Sequence, residues 1–283
     1  MITVDGVAGL KEQIARLRQG GKRVAFVPTL GNLHAGHIHL MQEARNHAQI
    51  VAASVYVNPL QFGPNEDFDA YPRTPAHDKV ALLAAGVNVL FMPSDAVMYP
   101  RGRGAHTVVE VPGLSEDLCG AFRPGHFRGV TTVVHRLLTL VAPDVAIFGK
   151  KDYQQLMLIR LMVADLGMPV EIVGVDTVRE ADGLALSSRN HYLSASERQT
   201  APHLYETLCH LRDRVSRHGS LTREAEEAAV EDLKMRGFRV DYVSVRRQSD
   251  LAAPQPEDRR LVALAAAWLG RTRLIDNVEF GFE

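Results

Sequence analysis

Apolar and polar positions alternate along the first two-thirds of this chain in two distinct rhythms. Leu10, Ile14 and Leu17 recur at helical spacing over 6–19, and Gly20-Gly21 ends the run. RVAFVP at 23–28 follows as a short, nearly continuous apolar run, the signature of a buried strand. The same exchange repeats down the chain. Helices are predicted over 37–48, 74–85, 130–141 and 153–166, and strands over 50–57, 87–92, 144–149 and 170–175, with 107–111 (TVVEV) as an extra strand. Apolar strands separated by amphipathic helices predict a doubly wound, Rossmann-like α/β domain with a parallel sheet over 1–176. Ligands of such sheets bind at the carboxyl ends of the strands, so the loops after 28, 57, 92, 149 and 176 are the places for chemistry.

Past residue 190 the rhythm changes. Helices are predicted over 194–217 and 222–236, then three strands over 239–245, 260–267 and 272–280 with no helix between them. Helices followed by consecutive strands predict a smaller α+β domain with an antiparallel sheet over 177–283, joined through the polar loop 179–192.

Composition narrows the function. The chain has 283 residues, 46% hydrophobic and 23% charged, too apolar for disorder. The formal net charge of −1 lacks the basic surplus of a nucleic-acid coat. This near-neutrality hides a cancellation. Residues 58–78 carry Glu66, Asp67, Asp69 and Asp78 against Arg73, while 119–152 carry Arg123, Arg128, Arg136, Lys150 and Lys151 against Asp144 and Asp152. Cys119 and Cys209 lie far apart and form neither a disulfide framework nor a zinc cage. The N-terminus has no signal-peptide pattern, and the best apolar run, 261–269, is half the length of a membrane span. A cytoplasmic protein with no membrane and no nucleic-acid partner is expected.

The candidate chemistry gathers in five segments. In PTLGNLHAGHIHL (28–40), Gly36 admits close backbone approach, and a helix starting near His37 offers free N–H groups and a positive dipole end to phosphate. His34 and His37 can donate hydrogen bonds to phosphate oxygens or stabilise charge in transfer. Metal binding by His34, His37 and His39 competes, but no acid sits inside the motif and His39 points to another face. In VNPLQFG (57–63), the Asn58 and Gln61 amides suit hydroxyl and carboxylate groups of a small polar substrate. GAFRPGHFRGV (120–130) is a glycine-rich cationic loop in which Arg123 and His126 could meet an anion. FGKKDYQQ (148–155) sets Lys150, Lys151 and Asp152 at a strand end, with one lysine expected on phosphate. DGLALSSRN (182–190) adds Ser187, Ser188 and Arg189 as small donors and one cation. Polyphosphate is the natural ligand of such a set, although the glycines match neither the dinucleotide fingerprint nor a Walker loop.

HAGH resembles the His-Ile-Gly-His motif of the nucleotidylyl transferase superfamily, and LSSR resembles its Lys-Met-Ser-Lys-Ser-type loop. With PTLGNLHAGH, VNPLQF, AYPRT, RPGHFRGV, FGKKDYQQ, DGLALSSRN and RTRLIDN in this order, the whole chain resembles the pantothenate synthetase family. That resemblance implies an AMP-forming ligase that joins pantoate to β-alanine with ATP and Mg²⁺ through pantoyl adenylate, in a homodimer. It implies an ATP site lined by Leu30, Gly31, Asn32, Leu33, His34, Ala35, Gly36 and His37, by Gly149, Lys150, Lys151 and Asp152, and by Val178, Leu186, Ser187, Ser188 and Arg189. His37, His34, Lys151, Ser187, Ser188 and Arg189 carry the catalytic assignments, and Gln61 and Gln155 would grip pantoate. The sequence departs from the family pattern at Leu30, Ala35, Cys119 and Lys150. Asp78 is the nearest match to the family's metal-contacting acids, with Mg²⁺ otherwise held by the ATP phosphates. Two rivals remain: an adenylyltransferase that stops after moving AMP onto a phosphorylated acceptor, and a nucleotide-binding module without catalysis.

Overall fold

The computed structural model describes residues 1–64, 66–218 and 223–282. The chain divides into two compact units, Met1–Lys150 with Leu158–Asp176, and Lys151–Met157 with Thr177–Glu283. Residues 151–157 therefore belong with the second unit, not with the first as a single division at 176 implies.

The first unit is built on a six-stranded sheet. Its strands are β1 (Ile2–Val4), β2 (Val24–Thr29), β3 (Ile50–Val55), β4 (Val89–Phe91), β5 (Val145–Gly149) and β6 (Glu171–Val175), in the order β1-β4-β3-β2-β5-β6 and all parallel. Helices α1 (Val7–Leu17), α2 (Ala35–His47), α3 (Pro75–Ala84) and α6 (His126–Val141) connect them, with short helices α4 (Asp95–Met98) and α5 (Cys119–Phe122). Strand β2 is buried on both faces, which explains its unbroken apolar run. Ala25 and Val27 pack with Met41 and Ala44 of α2 and Leu82 of α3 in one apolar cluster. Strand order reverses at β2, whose neighbours are β3 and β5. The crevice of this sheet therefore opens beyond Thr29 and Gly149, where the nucleotide segments are expected.

Two expectations need correction in this unit, and one strand went unread. Residues 107–111 form no strand. The Val109 N–H donates to Thr132 Oγ1 at 2.9 Å and its carbonyl accepts from Thr131 Oγ1 at 2.5 Å, so α6 side chains satisfy what a strand neighbour would have satisfied. Helix α2 starts at Ala35, not near His37, because His34 caps it. Strand β1 gives no periodic signal, being three residues, none of them fully buried, paired with β4.

The second unit carries helices α8 (Ala195–Thr200), α9 (His203–His218) and α10 (Arg223–Met235) and an antiparallel sheet of β7 (Arg239–Arg247), β8 (Arg260–Leu269) and β9 (Thr272–Gly281). Leu204, Leu208, Leu211 and Val215 make a helical stripe that meets the alternate residues Leu261, Ala263, Ala265 and Ala267 of β8. The expected helix over 194–217 is two helices, because Pro202 lacks the N–H that would join them. Residue 222, placed at a helix start, lies outside the described residues. Helix α7 (Tyr153–Asp165) begins in the second unit and ends in the first.

Candidate functional site

The loop after β2 is shaped by two left-handed residues and one buried carboxylate. Gly31 has φ +86° and Asn32 φ +51°. A Cβ on Gly31 would lie 2.9 Å from Val55 Cγ1 and 3.0 Å from Asp78 Oδ2, so glycine answers both a backbone and a packing demand. Asp78, on α3 and only 1% exposed, accepts from the N–H groups of Asn32 (3.1 Å) and Leu33 (2.9 Å) and from Thr74 Oγ1 (3.1 Å). Leu33 is sunk in the core beside it, while Leu30 is half-buried.

His34 then serves as the N-cap of α2. Its Nδ1 accepts from the Gly36 N–H at 3.2 Å, and the His34 N–H donates to His37 Nδ1 at 3.3 Å. Histidine thus plays both parts of a capping box usually filled by Ser or Thr and Glu. An accepting Nδ1 needs its lone pair, so both rings carry their proton on Nε2. The ring centroids are 4.1 Å apart, and both side chains are half-buried. Two N–H donors and the helix N-terminus are therefore fixed in one place before any ligand arrives. Ala35 is exposed in the first turn of α2, and nothing in the structure explains the departure there.

The VNPLQF segment forms a second part of the first unit. Asn58 is fully buried. Its Oδ1 accepts from Tyr99 Oη (2.7 Å) and the Leu60 N–H (3.3 Å), and its Nδ2 donates to the Gly129 carbonyl and to Gln61 Oε1, both at 3.1 Å. Asn58 therefore supports Gln61 and does not itself face a substrate, contrary to expectation. Gly129 is required at this crossing, because a Cβ there would lie 2.2 Å from the Leu60 carbonyl oxygen.

Arg123 and His126 also turn out to be supports. Arg123 grips Glu66 through Nε and Nη2, both at 2.6 Å, and its Nη1 lies 3.0 Å from His126 Nε2. A guanidinium only donates, so His126 Nε2 accepts and Nδ1–H donates to the Gln61 carbonyl at 2.7 Å. Burial alone would push the Glu66 carboxyl up, but the Arg123 hydrogen bonds and charge hold it below the ordinary carboxylate range. Arg123 and His126 are thus committed to Glu66 and Gln61.

At the end of β5, Gly149 leads into a single 3₁₀ turn, Lys150–Asp152. Lys150 Nζ pairs with Asp176 Oδ1 at 2.7 Å, across the ends of the adjacent strands β5 and β6. In the second unit Lys151 is half-buried, and its ammonium has no hydrogen-bond or ion-pair partner among the described residues. It is the lysine of the pair with a charge to give an anion. Asp152 is exposed and Gln155 half-buried, whereas Gln154 is buried.

Residues 178–186 fold as a small irregular hairpin. Val178 and Leu186 are joined by a backbone hydrogen bond of 3.0 Å, and Arg179 bridges Ala185. This pairing is why two residues eight apart belong to one place. Ser187 Oγ accepts from the Arg189 N–H at 3.2 Å, and the Ser188 carbonyl is bonded by His191. A cleft within this unit is lined by Lys151, Ser187, Asn190, Tyr205, Arg273 and Asp276.

Sequence reasoning missed the residues that hold these parts. Arg179 makes a two-pronged pair with Asp276 (2.6 and 2.9 Å), donates to the Gly183 carbonyl (3.1 Å) and lies over the Tyr205 ring. Asn277 donates to the Lys151 carbonyl at 3.1 Å. A signal existed: adjacent Asp276 and Asn277 in a strand place polar groups that burial obliges to find partners. Asp78 gave a weaker one, as a lone acid on the buried side of α3.

A family model described as pantoate-beta-alanine ligase matches residues 2–279. The chain is 54% identical over 280 residues to a pantothenate synthetase of Shewanella loihica, covering 99% of each chain. It is also 54% identical over 278 residues to one of Stutzerimonas stutzeri, covering 98% of this chain and 97% of that one. A solved pantothenate synthetase of Thermus thermophilus superposes with a TM-score of 0.91 at 48% identity, covering 98% of this chain and 99% of the other. A pantoate-beta-alanine ligase of Francisella tularensis, solved with a β,γ-ATP compound and β-alanine, gives 0.79 at 34% identity over 98% and 97%. A family match over residues 2–279, relatives 54% identical over nearly the whole chain and a solved structure of the same fold place this chain in the pantoate-beta-alanine ligase family.

Proposed function

We propose that this protein condenses pantoate with β-alanine at the expense of ATP, releasing AMP and pyrophosphate. The observation that carries the reading is the His34–His37 cap, which keeps the proton of both rings on Nε2 at a helix N-terminus just past the crevice end of β2. The family match supports a full ligase rather than a transfer that stops at the adenylate.

The chemistry follows from charge. The pantoate carboxylate is ionised at neutral pH and attacks the α-phosphorus without a strong base. The bond to pyrophosphate breaks, and negative charge grows on the phosphoryl oxygens and the leaving group. Fixed donors are what such a step needs. In the first unit His34 and His37 supply them, and the capped geometry means no reorganisation at the moment of reaction. In the second unit Lys151 supplies an uncommitted cation, with Ser187, Ser188 and Arg189 beside the hairpin. The β-alanine amine then attacks the acyl carbon, and AMP leaves with the bonding pair. Gln61 and Gln155 are assigned to pantoate, and Gly149, Asp152, Val178 and Leu186 to the nucleotide.

Magnesium belongs to this reading as the companion of ATP, but the residues offer it no cage. No group of three His, Cys, Asp or Glu suited to a metal occurs among the described residues. Asp78 already accepts three hydrogen bonds and is buried, so it holds the loop and does not bind metal. The triphosphate itself is the better ligand. A homodimer and a cytoplasmic site of action are part of the same proposal. No helix among the described residues is long and apolar enough to cross a membrane.

The test is isotope exchange between ATP and pyrophosphate. It should require pantoate and proceed without β-alanine, and adding β-alanine should release free AMP. Exchange that ignores pantoate, or ATP binding with no turnover, would overturn the reading.

A further inference from the structure

We infer that Tyr99 and Asn58 are positioning residues that lock the Gln61 amide so that it offers its substrate hydrogen-bond donors and no acceptor. This rests on the pantoate reading above.

The orientation of an Asn or Gln amide is set by its partners, and here backbone groups decide it. The Leu60 N–H can only donate and the Gly129 carbonyl can only accept. Asn58 Oδ1 must therefore face Leu60, at 3.3 Å, and Nδ2 must face Gly129, at 3.1 Å. That leaves the other Nδ2 hydrogen for Gln61, at 3.1 Å, and an N–H donor requires the Gln61 oxygen opposite it. Gln61 Oε1 is thereby occupied, and its Nε2 has no hydrogen-bond partner among the described residues. The Nε2 is also absent from the fully enclosed polar atoms that lack partners, so it reaches an opening.

Tyr99 closes the chain. Its hydroxyl donates to Asn58 Oδ1 at 2.7 Å, the shortest of the four bonds. Burial, then the Asp95 carboxylate, push the Tyr99 phenol up, so it keeps the proton it must donate. The backbone of Gln61 is fixed as well, since its carbonyl accepts from His126 Nδ1 at 2.7 Å. Both ends of the residue are held, and what remains is a rigid pair of N–H donors. Such a site selects a ligand oxygen that accepts, as a carboxylate or a hydroxyl lone pair does, and rejects a group that can only donate. Buried polar sites discriminate strongly in this way, because the wrong ligand leaves a donor unpaired.

The variant that inverts the logic is Asn58→Asp. An aspartate cannot donate to Gln61, so the Gln61 amide turns to donate to it and presents its oxygen to the ligand. In steady-state assays of the full-length enzyme, the pantoate KM should rise at least about tenfold, with the ATP KM within about twofold of wild type. The carboxamide of pantoate, which carries N–H donors, should gain as an inhibitor of N58D relative to wild type. Tyr99→Phe keeps the backbone-set orientation but loses one bond, and its pantoate KM should rise by about fivefold, again without change for ATP. If N58D does not fold, Y99F and the carboxamide series carry the test. Unchanged pantoate KM in Y99F, or equal rises for pantoate and ATP, would overturn the inference. A wild-type enzyme with no pantoate-dependent exchange would instead sink the underlying ligase reading, so the two failures are distinguishable.

Discussion

His37 Nδ1 accepts a hydrogen bond from the backbone N–H of His34 at 3.3 Å, so one ring nitrogen serves the cap and the ring proton sits on Nε2. The two roles can be separated by substitution. His37→Asn places an amide oxygen near the Nδ1 position and keeps the cap, but it has nothing at Nε2. His37→Ala loses both. We expect both variants to lose more than about 10²-fold in pantoate-dependent pyrophosphate exchange, as removal of a transition-state donor does. Only His37→Ala should also lose the cap, about 1 kcal/mol in unfolding free energy. Exchange by His37→Asn within a few-fold of wild type would show that the Nε2–H is idle.

Asp78 holds the same loop through its backbone. Its two oxygens take the Asn32 and Leu33 N–H groups, whereas an amide in its place could accept at only one of them. Asp78→Asn would oppose an amide NH₂ to a backbone N–H. Hydrogen bonds to a charged partner are worth about 1.5–3 kcal/mol, so unfolding free energy should fall by roughly that much. The ATP KM should rise while the pantoate KM holds. Titration with Mg²⁺ at saturating ATP should show an unchanged requirement, whereas a metal ligand at Asp78 would shift it.

The contrast between Asp78 and His37 shows what the sequence could and could not disclose. Strands β2, β3 and β5 are readable because burial on both faces leaves nearly unbroken apolar runs. The segment after β2 stands out because a strand end, glycines and two histidines fall within ten residues. Asn58, Arg123 and His126 read as facing a ligand, since residue type alone does not tell a binding group from the group that supports it. Their partners Tyr99, Gly129 and Glu66 lie 41, 71 and 57 residues from the groups they bond, and no local pattern spans those distances. The strand expected over 107–111 fails for a related reason. Its β-branched composition suits an extended chain, but the partners proved to be threonines of α6.

The Glu66–Arg123 pair predicts a specific acid response. Arg123 holds the Glu66 carboxyl below its ordinary range in the folded protein. A depressed carboxyl contributes stability above the unfolded value, about 4.3, and that contribution is lost as pH falls through the folded value. Thermal midpoints measured down an acid series should therefore fall more steeply in wild type than in Glu66→Gln below about pH 4.3. At neutral pH the variant should be the less stable of the two, because Arg123 keeps only a neutral partner. Parallel curves for the two proteins would show that the pair is not linked to stability.

The second unit also depends on a buried pair. Arg179 and Asp276 face each other through two bonds, with side chains 18% and 3% exposed. Arg179 also takes the Gly183 carbonyl at the turn of the hairpin that ends in Leu186 and Ser187. Asp276→Ala removes the carboxylate and strands a guanidinium that can release its proton only at extreme pH. Breaking a buried pair from one side costs about 3–5 kcal/mol, more than the pair's net worth, because a charge is left uncompensated. Asp276→Asn keeps one acceptor and should lose less. Arg179→Met in the Asp276→Ala background should restore part of the loss, because it removes the stranded charge and fills the space against Tyr205. Chemical denaturation of these variants beside Arg179→Met alone closes the cycle. Additive losses in the double variant would mean that the two residues are independent and that the hairpin is held by its backbone bonds alone.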